Sequence, residues 1–535
     1  MLKIISLFTT RPPSARPVPI PAVNCGQVLI KKSPTRHTPK RISRYLNVSL
    51  AILSITKKNS NFKIYILHKM STNSPATYLP TAFVDLATIT DSTLEEDYMY
   101  SLNGSMTYFM REVRKCTPFT QIPTILNVHS GQPSFGNNFS VIVSRSTDYL
   151  LNCWLRVTLP EVRLLDTNPH GADGRIRWTK NFMHNLIEEV TLSFADFPTQ
   201  TLDSFFLDFW AAFTVSASKR SGYETMIGNV DDLISPHAPN QPLKSKTLNL
   251  PLPFFFSRDT GIALPTGALL YTETRISFKL RNWAQLLILE NANPTPNAFN
   301  GGVPAVGASI ERAPVLTNVS VWGDSVVCNP LERAYMGACE RDLLIEQVKQ
   351  NPIQTYEPVN NPNKSFDIRF SHAVKALFFG VRNTTYPNVW SNWTTASPVI
   401  DDRLIQFEPP GAQDPIGDIS LTYDSAARLQ NVGADYFSHI NPYYHAPSIP
   451  ESIGYHMYSY ALDLMSVEPN GSTNFGRINN ISIVPNASRD AKIGYQGTGA
   501  VGSGMDHPQR YQFILMVLNQ NVLTIKDGAV IYPVM

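Results

Sequence analysis

Three groups of residues in this 535-residue chain have types and spacings that chemistry could use. The first is Gly497-Thr498-Gly499-Ala500-Val501-Gly502, a match to the GxGxxG turn that binds dinucleotides. That turn works only between a strand and a following helix, whose N-terminal amides hold the pyrophosphate. Here Gly504, Asp506 and Pro508 follow and oppose a helix, so the run reads as a surface loop. The second group is His439, His445 and His456, close to Tyr443, Tyr444 and Tyr455. Imidazole pairs that hold a metal usually come as HxH with a Glu following, or as HExxH, and neither pattern occurs. The three read as packed or loop histidines. The third group is the acidic pairs Glu188-Glu189 and Asp401-Asp402. Carboxylate catalysis needs two groups converging across a cleft, which adjacency in sequence does not supply. With no GxSxG elbow and no Walker-type lysine loop, the expectation is no catalytic residue, no cofactor and no metal ligand.

The five cysteines, Cys25, Cys116, Cys153, Cys328 and Cys339, are scattered, odd in number and free of any CxxC pair. They describe neither a disulfide framework nor a zinc site. Cys153 falls between Leu151 and Leu155 in an alternating run and reads as a small buried apolar residue. N-x-[ST] sequons are numerous, including Asn103, Asn138, Asn318, Asn383, Asn392, Asn470 and Asn486. In a chain this rich in Asn, Ser and Thr they are expected by chance.

The elements that must position these residues are short strands. Ile276, Phe278 and Leu280 share one face of a run whose other face carries Arg275, Ser277, Lys279 and Arg281. That period of two marks a half-buried strand. Phe139 to Val143, Leu151 to Leu159, Val190 to Phe194 and Leu316 to Cys328 read in the same way. Leu202 to Val215 is more continuous and suits a helix. Leu331 to Ala338 is a short helical passage, after which strand texture resumes at Leu343 to Val348 and Phe366 to Phe370. It continues at Val374 to Val381, Ile419 to Tyr423, His456 to Leu464, Ile478 to Val484 and Tyr511 to Val534. Short strands between long loops predict an all-β chain of two tandem jelly-roll sandwiches with a few short helices. The expected bounds are 71–329 and 341–535, about eight core strands each, with a linker at 330–340.

Charged residues are only 16% of the chain, against roughly 25% in an ordinary globular domain, and there are 41 prolines. So little charge suits a surface covered by neighbours. Residues 1–70 hold 13 Lys and Arg and no Asp or Glu, leaving 32 basic and 42 acidic side chains, a net of −10, in the remainder. The body is therefore acidic, which argues against direct nucleic-acid binding. The basic segment lacks a clear hydrophobic period. The expectation is that Met70 is the start and that 1–70 is absent from the mature protein or disordered. No apolar run is long enough to span a bilayer.

One stretch is more specific than any of these patterns. LPLPFFFSRDTGIALP, Leu250 to Pro265, resembles the major capsid proteins of iridoviruses, a branch of the large nucleocytoplasmic double-stranded DNA viruses. The likeness continues in order through FVDLATITD at Phe83, GQPSFGNNFSV at Gly131 and RWTKNFMHNLIEEVTLSF at Arg177. It extends through FDIRFSHAVKALFFGVRNTT at Phe366, WSNWTTASP at Trp390 and NPYYHAPSIPESIGYHMYSYAL at Asn441. Two features depart from the family pattern: the run Leu270-Tyr271-Thr272-Glu273, and the basic extension before Met70. The resemblance implies a non-enzymatic capsid subunit with two consecutive jelly rolls. It further implies homotrimers that present six lobes as a pseudo-hexagonal block. Such blocks tile an icosahedral shell over an internal lipid membrane, with minor capsid proteins as partners and assembly in the host cytoplasm. The alternative from composition alone is a lectin-like, carbohydrate-binding jelly-roll protein.

Overall fold

The computed structural model describes residues 108–111, 113–293, 301–385, 388–395, 412–493, 495–496, 506–507 and 509–532. The GxGxxG run, Asp401-Asp402, Cys25, Asn103 and the whole basic segment lie outside the described residues. Two compact units divide the chain, Met1–Cys116 and Thr117–Met535. The described residues of the first carry no helix or strand. The second holds all the architecture that follows.

Eight strands build its first lobe: β1 Phe119–Gly131, β2 Asn138–Ile142, β3 Tyr149–Leu159, β4 Ile187–Phe194, β5 Phe197–Asp203, β6 Lys246–Pro251, β7 Thr274–Leu280 and β8 Thr317–Cys328. One sheet runs β1-β8-β3-β6 and the other β2-β7-β4-β5. Residues 119–126 of β1 pair with β8, while 127–131 pair with β2, so this strand passes from one sheet into the other. Eight strands build a second lobe: β9 Arg341–Gln350, β10 Phe366–Ile368, β11 Ala373–Asn383, β12 Ile416–Tyr423, β13 Ala426–Gly433, β14 His456–Ser459, β15 Ile481–Ala487 and β16 Tyr511–Lys526. Its sheets run β9-β16-β11-β14 and β10-β15-β12-β13. Lettered in chain order, both lobes have strands B, I, D, G in one sheet and C, H, E, F in the other, which is the jelly roll. No named strand of one lobe pairs with one of the other among the described residues.

The alternations read from sequence set the burial. Ile276, Phe278 and Leu280 face the core in β7, as do Cys153, Leu155, Val157 and Leu159 in β3. β16 has no polar face in its first half. Phe513, Leu515 and Val517 enter the second lobe's own core, while Ile514, Met516 and Leu518 enter a core shared with the first lobe.

Several expected boundaries move, each for a local reason. Leu202 to Val215 is strand up to Asp203, whose carboxylate accepts from Phe206 N and caps α1, Ser204–Thr214. His456 to Leu464 is strand only to Ser459, where the serine hydroxyl exchanges hydrogen bonds with the Ala461 backbone and turns the chain. The run expected as one strand from Tyr511 is a hairpin as far as Ile531. Asp527 and Gly528, with φ of 50° and 78°, reverse it, and Ala529–Ile531 pairs back onto β16. Arg281 does not share the solvent face of Lys279. It lies just past the strand end and is buried, donating to the Asn185 and Ile187 carbonyls and to Ser204 Oγ. The passage between the lobes forms α2, Pro330–Ala338, capped by Asn329 and carrying proline in its first turn. It is no free tether, since Met336 is buried and Arg333 grips Asp148 at 2.6 Å.

Candidate functional site

The best-built region of the molecule is the seam between the lobes. SFFLDFWAAFT is apolar around nearly its whole circumference, which demands burial on every side. As α1 it leaves the end of β5 and lies across the outer face of the second lobe's β9-β16-β11-β14 sheet. Phe206, Trp210 and Phe213 surround Phe378 of β11 with ring centroids 6.1, 6.3 and 5.8 Å away. Phe209 meets Trp393 and Tyr455 edge-on at 4.8 and 5.0 Å. Aromatic pairs in these orientations add to what their burial contributes.

Charge is buried in the same seam. Arg258, from the FFFSRDTG stretch, stacks on Trp210 at 3.6 Å and lies 3.2 Å from Glu346 of β9. Lys375 of β11 reaches the same carboxylate at 2.6 Å and donates also to the Ser466 carbonyl. All three side chains are essentially inaccessible. Two cations thus share one anion. Burial lowers the Arg258 pKa, and the Glu346 charge opposes that shift. Nearby, Arg281 and Arg382 each lie 3.9 Å from the Trp390 ring, and burial pushes the Arg281 pKa down to about 10.

One buried cluster has the outline of a catalytic relay. Asp208 Oδ1 lies 2.6 Å from His184 Nδ1, and His184 Nε2 lies 2.7 Å from the Tyr223 hydroxyl. The cavity beside it is about 70 Å³, room for little more than water. Ser391 donates to Asp208 rather than to the imidazole, and burial raises the Tyr223 pKa, which disfavours a phenolate nucleophile. The cluster satisfies polar groups where Asn181, Asn185 and Ser391 converge.

The histidines singled out from sequence do not converge on a common ligand. His439 bonds Ser438, His445 bonds the Leu462 carbonyl, and His456 bonds Asp414 at 2.8 Å. No group of three or more metal-ligating side chains occurs among the described residues. Glu188 pairs with Lys279 across the sheet. Cys116, Cys153 and Cys328 are free thiols. Among the sequons, Asn383 is buried and Asn318 exposed.

Among the described residues, two apolar surfaces are incompletely covered, and sequence reasoning missed both. On the outer face of the first lobe's β1-β8-β3-β6 sheet, Ile125, Trp322, Trp154 and Pro251 stand in register across all four strands. The indoles stack at 6.1 Å. Beside them opens a groove of about 680 Å³, floored by Asn152, Trp154 and Asp324 and walled by Trp210 and Tyr223. On the second lobe Ile440, Tyr443 and Tyr444 are exposed, the two tyrosines packed edge-on at 5.1 Å. The signal for the first was available: tryptophans stood at positions that alternation assigns to solvent.

Comparison with known proteins follows this anatomy. A family model described as major capsid protein N-terminus matches residues 107–328. A second, described as large eukaryotic DNA virus major capsid protein, matches residues 332–530. The chain is 49% identical over 460 residues to the major capsid protein of Costelytra zealandica iridescent virus, covering 85% of this chain and 98% of the relative. It is 50% identical over 461 residues to that of Invertebrate iridescent virus 6, with coverage of 85% and 98%. Among solved structures, PBCV-1 VP54 superimposes with a TM-score of 0.62 at 19% identity, covering 80% of this chain and all of that one.

Proposed function

Since the chain belongs to the major capsid proteins of iridescent viruses and is a structural component of the virion, we propose that it works as a homotrimer. Three chains bring six jelly rolls together as a pseudo-hexagonal capsomer, and capsomers tile an icosahedral shell. The observation that carries this reading is the identical strand order of the two lobes, held in one rigid relation by α1 and the Arg258–Glu346–Lys375 cluster. A trimer of such chains presents six similar lobes around one axis, and hexagonal units fill a facet with few gaps.

The working domains are 71–329 and 341–535, with 330–340 as a packed connection. The low charge content fits flanks buried between subunits, and a permanent interface of this kind covers on the order of 2,000 Å² or more. The acidic body suits a shell protein that does not touch the genome. No helix among the described residues is long and apolar enough to cross a membrane. In this reading an internal membrane is a neighbour of the shell. Minor capsid proteins are further partners, and assembly belongs to the host cytoplasm.

Sedimentation of the full chain at micromolar concentration tests the trimer. The expected result is a three-chain species that resists dilution. A stable monomer that fails to trimerise under any assembly condition overturns it.

A further inference from the structure

In the first lobe, the segment joining strand F to strand G, β5 to β6, contains α1. That helix covers the outer face of the second lobe's β9-β16-β11-β14 sheet, and Phe378 and Met516, cross-strand neighbours on that face, are buried. In the second lobe, the segment joining strand F to strand G, β13 to β14, is also helical: a π-helical turn at Tyr436–Ile440 runs into a helix at Asn441–His445. It carries Ile440, Tyr443 and Tyr444 outward, with the tyrosines 68% and 71% exposed.

The receiving face has its counterpart too. Trp154 and Trp322 occupy in the first lobe the paired D and I positions that Phe378 and Met516 occupy in the second. The second-lobe pair is buried and the first-lobe pair is only half covered. Asn152, Asn249 and Asp324 flank the indoles, and their side chains make no hydrogen bond or ion pair among the described residues. An unpartnered polar rim around an aromatic centre is the anatomy of a protein interface.

We infer that the Tyr436–His445 segment of one chain docks on the Trp154–Trp322 face of a second copy, repeating between chains the contact that α1 makes within one. This rests on the trimer reading. In a ring of six lobes every second junction is intrachain, and closure requires the remaining three to join the second lobe of one copy to the first lobe of the next. That contact is heterologous, so it needs two different patches on each chain, and these two are the halves of an otherwise repeated pair that stay wholly or partly open among the described residues. The groove of about 680 Å³ beside Trp154 has room for the two tyrosine rings.

The test places a photo-reactive benzoyl-phenylalanine at Tyr444 in the full chain. Particles are assembled from an equal mixture of isotopically light and heavy chains, irradiated, and mapped by mass spectrometry. The expected product joins position 444 to a peptide containing Trp154 or Trp322, with light–heavy pairs among the products. Trimers that cross-link elsewhere, or only within one chain, overturn the docking site and leave the trimer standing. Failure to form any oligomer overturns both. A Tyr443→Ala/Tyr444→Ala variant, altered at exposed positions, is expected to keep the monomer fold and weaken trimerisation by at least about tenfold. Unchanged trimer affinity with the fold intact counts against the inference.

Discussion

The ring of Phe209 in α1 stands directly over Gly380 in β11: a β-carbon at that glycine would lie 2.7 Å from Phe209 Cζ. The helix of the first lobe therefore seats on the sheet of the second at the one position of β11 without a side chain. A Gly380→Ala substitution forces the helix to lift and is expected to cost about 1–3 kcal/mol, the usual penalty for overpacking a core. Pairing it with Phe209→Leu should recover part of the loss. Urea denaturation of the three variants checks both, and an unperturbed Gly380→Ala protein would contradict the contact. Gly454 is stricter still. Its φ is +92°, and a β-carbon there would stand 2.0 Å from the Trp393 carbonyl oxygen, so Gly454→Ala should be the more damaging change.

Glu346 neutralises two buried cations at once. Replacing it with Gln leaves Arg258 and Lys375 without a counter-charge in a site closed to water, and the expected loss is about 3–5 kcal/mol. Arg258→Met, which removes one cation and keeps most of the volume over Trp210, should cost much less. Denaturation midpoints measured side by side decide the order. Equal losses in the two variants would mean that the charge pattern is immaterial.

Asp148 ties α2 to the first lobe, accepting from Arg333 at 2.6 and 3.0 Å and from Cys328 N at 2.7 Å. Burial alone would raise its pKa, but the hydrogen bonds from Arg333 and Cys328 outweigh that and hold it below the usual carboxylate value. The folded-state pKa is therefore the lower one. The stabilisation is present at neutral pH and is lost as pH falls below about 4, through the folded-state value. Asp148→Asn is expected to lower stability by about 1–2 kcal/mol at pH 7, the range for a hydrogen-bonded charge with a half-exposed partner, and by less at pH 3. Urea midpoints at the two pH values test this. A loss that grows on acidification would reverse the sign.

The thiols should react in order of access. Cys116 is exposed, whereas Cys153 is buried and its pKa is driven up by desolvation. Alkylation of the native protein at pH 8 is expected to label Cys116 readily and Cys153 only after unfolding. Mapping without reductant should find no stoichiometric bridge among the five cysteines.

The sequence by itself determined the strands and their inward faces. A period of two places Ile276, Phe278 and Leu280 on one side whatever the rest of the chain does, because successive side chains of a strand point to opposite faces. It marked Leu202 to Val215 as a continuous apolar run suited to a helix, though not the point at Asp203 where strand gives way to α1. The ordered capsid motifs gave the family. The tertiary structure alone decided which core each apolar face enters. Ile514 and Leu515 are equally hydrophobic neighbours, yet one packs against the first lobe and the other inside the second, because β16 lies between two cores. It alone decided that Arg258, Glu346 and Lys375 are buried, for a charged side chain in a turn or strand reads as solvated until its partner arrives from a distant part of the chain. Local periodicity records only which side of an element is apolar. What covers that side is fixed by long-range packing, as α1 of the first lobe covers Phe378 of β11.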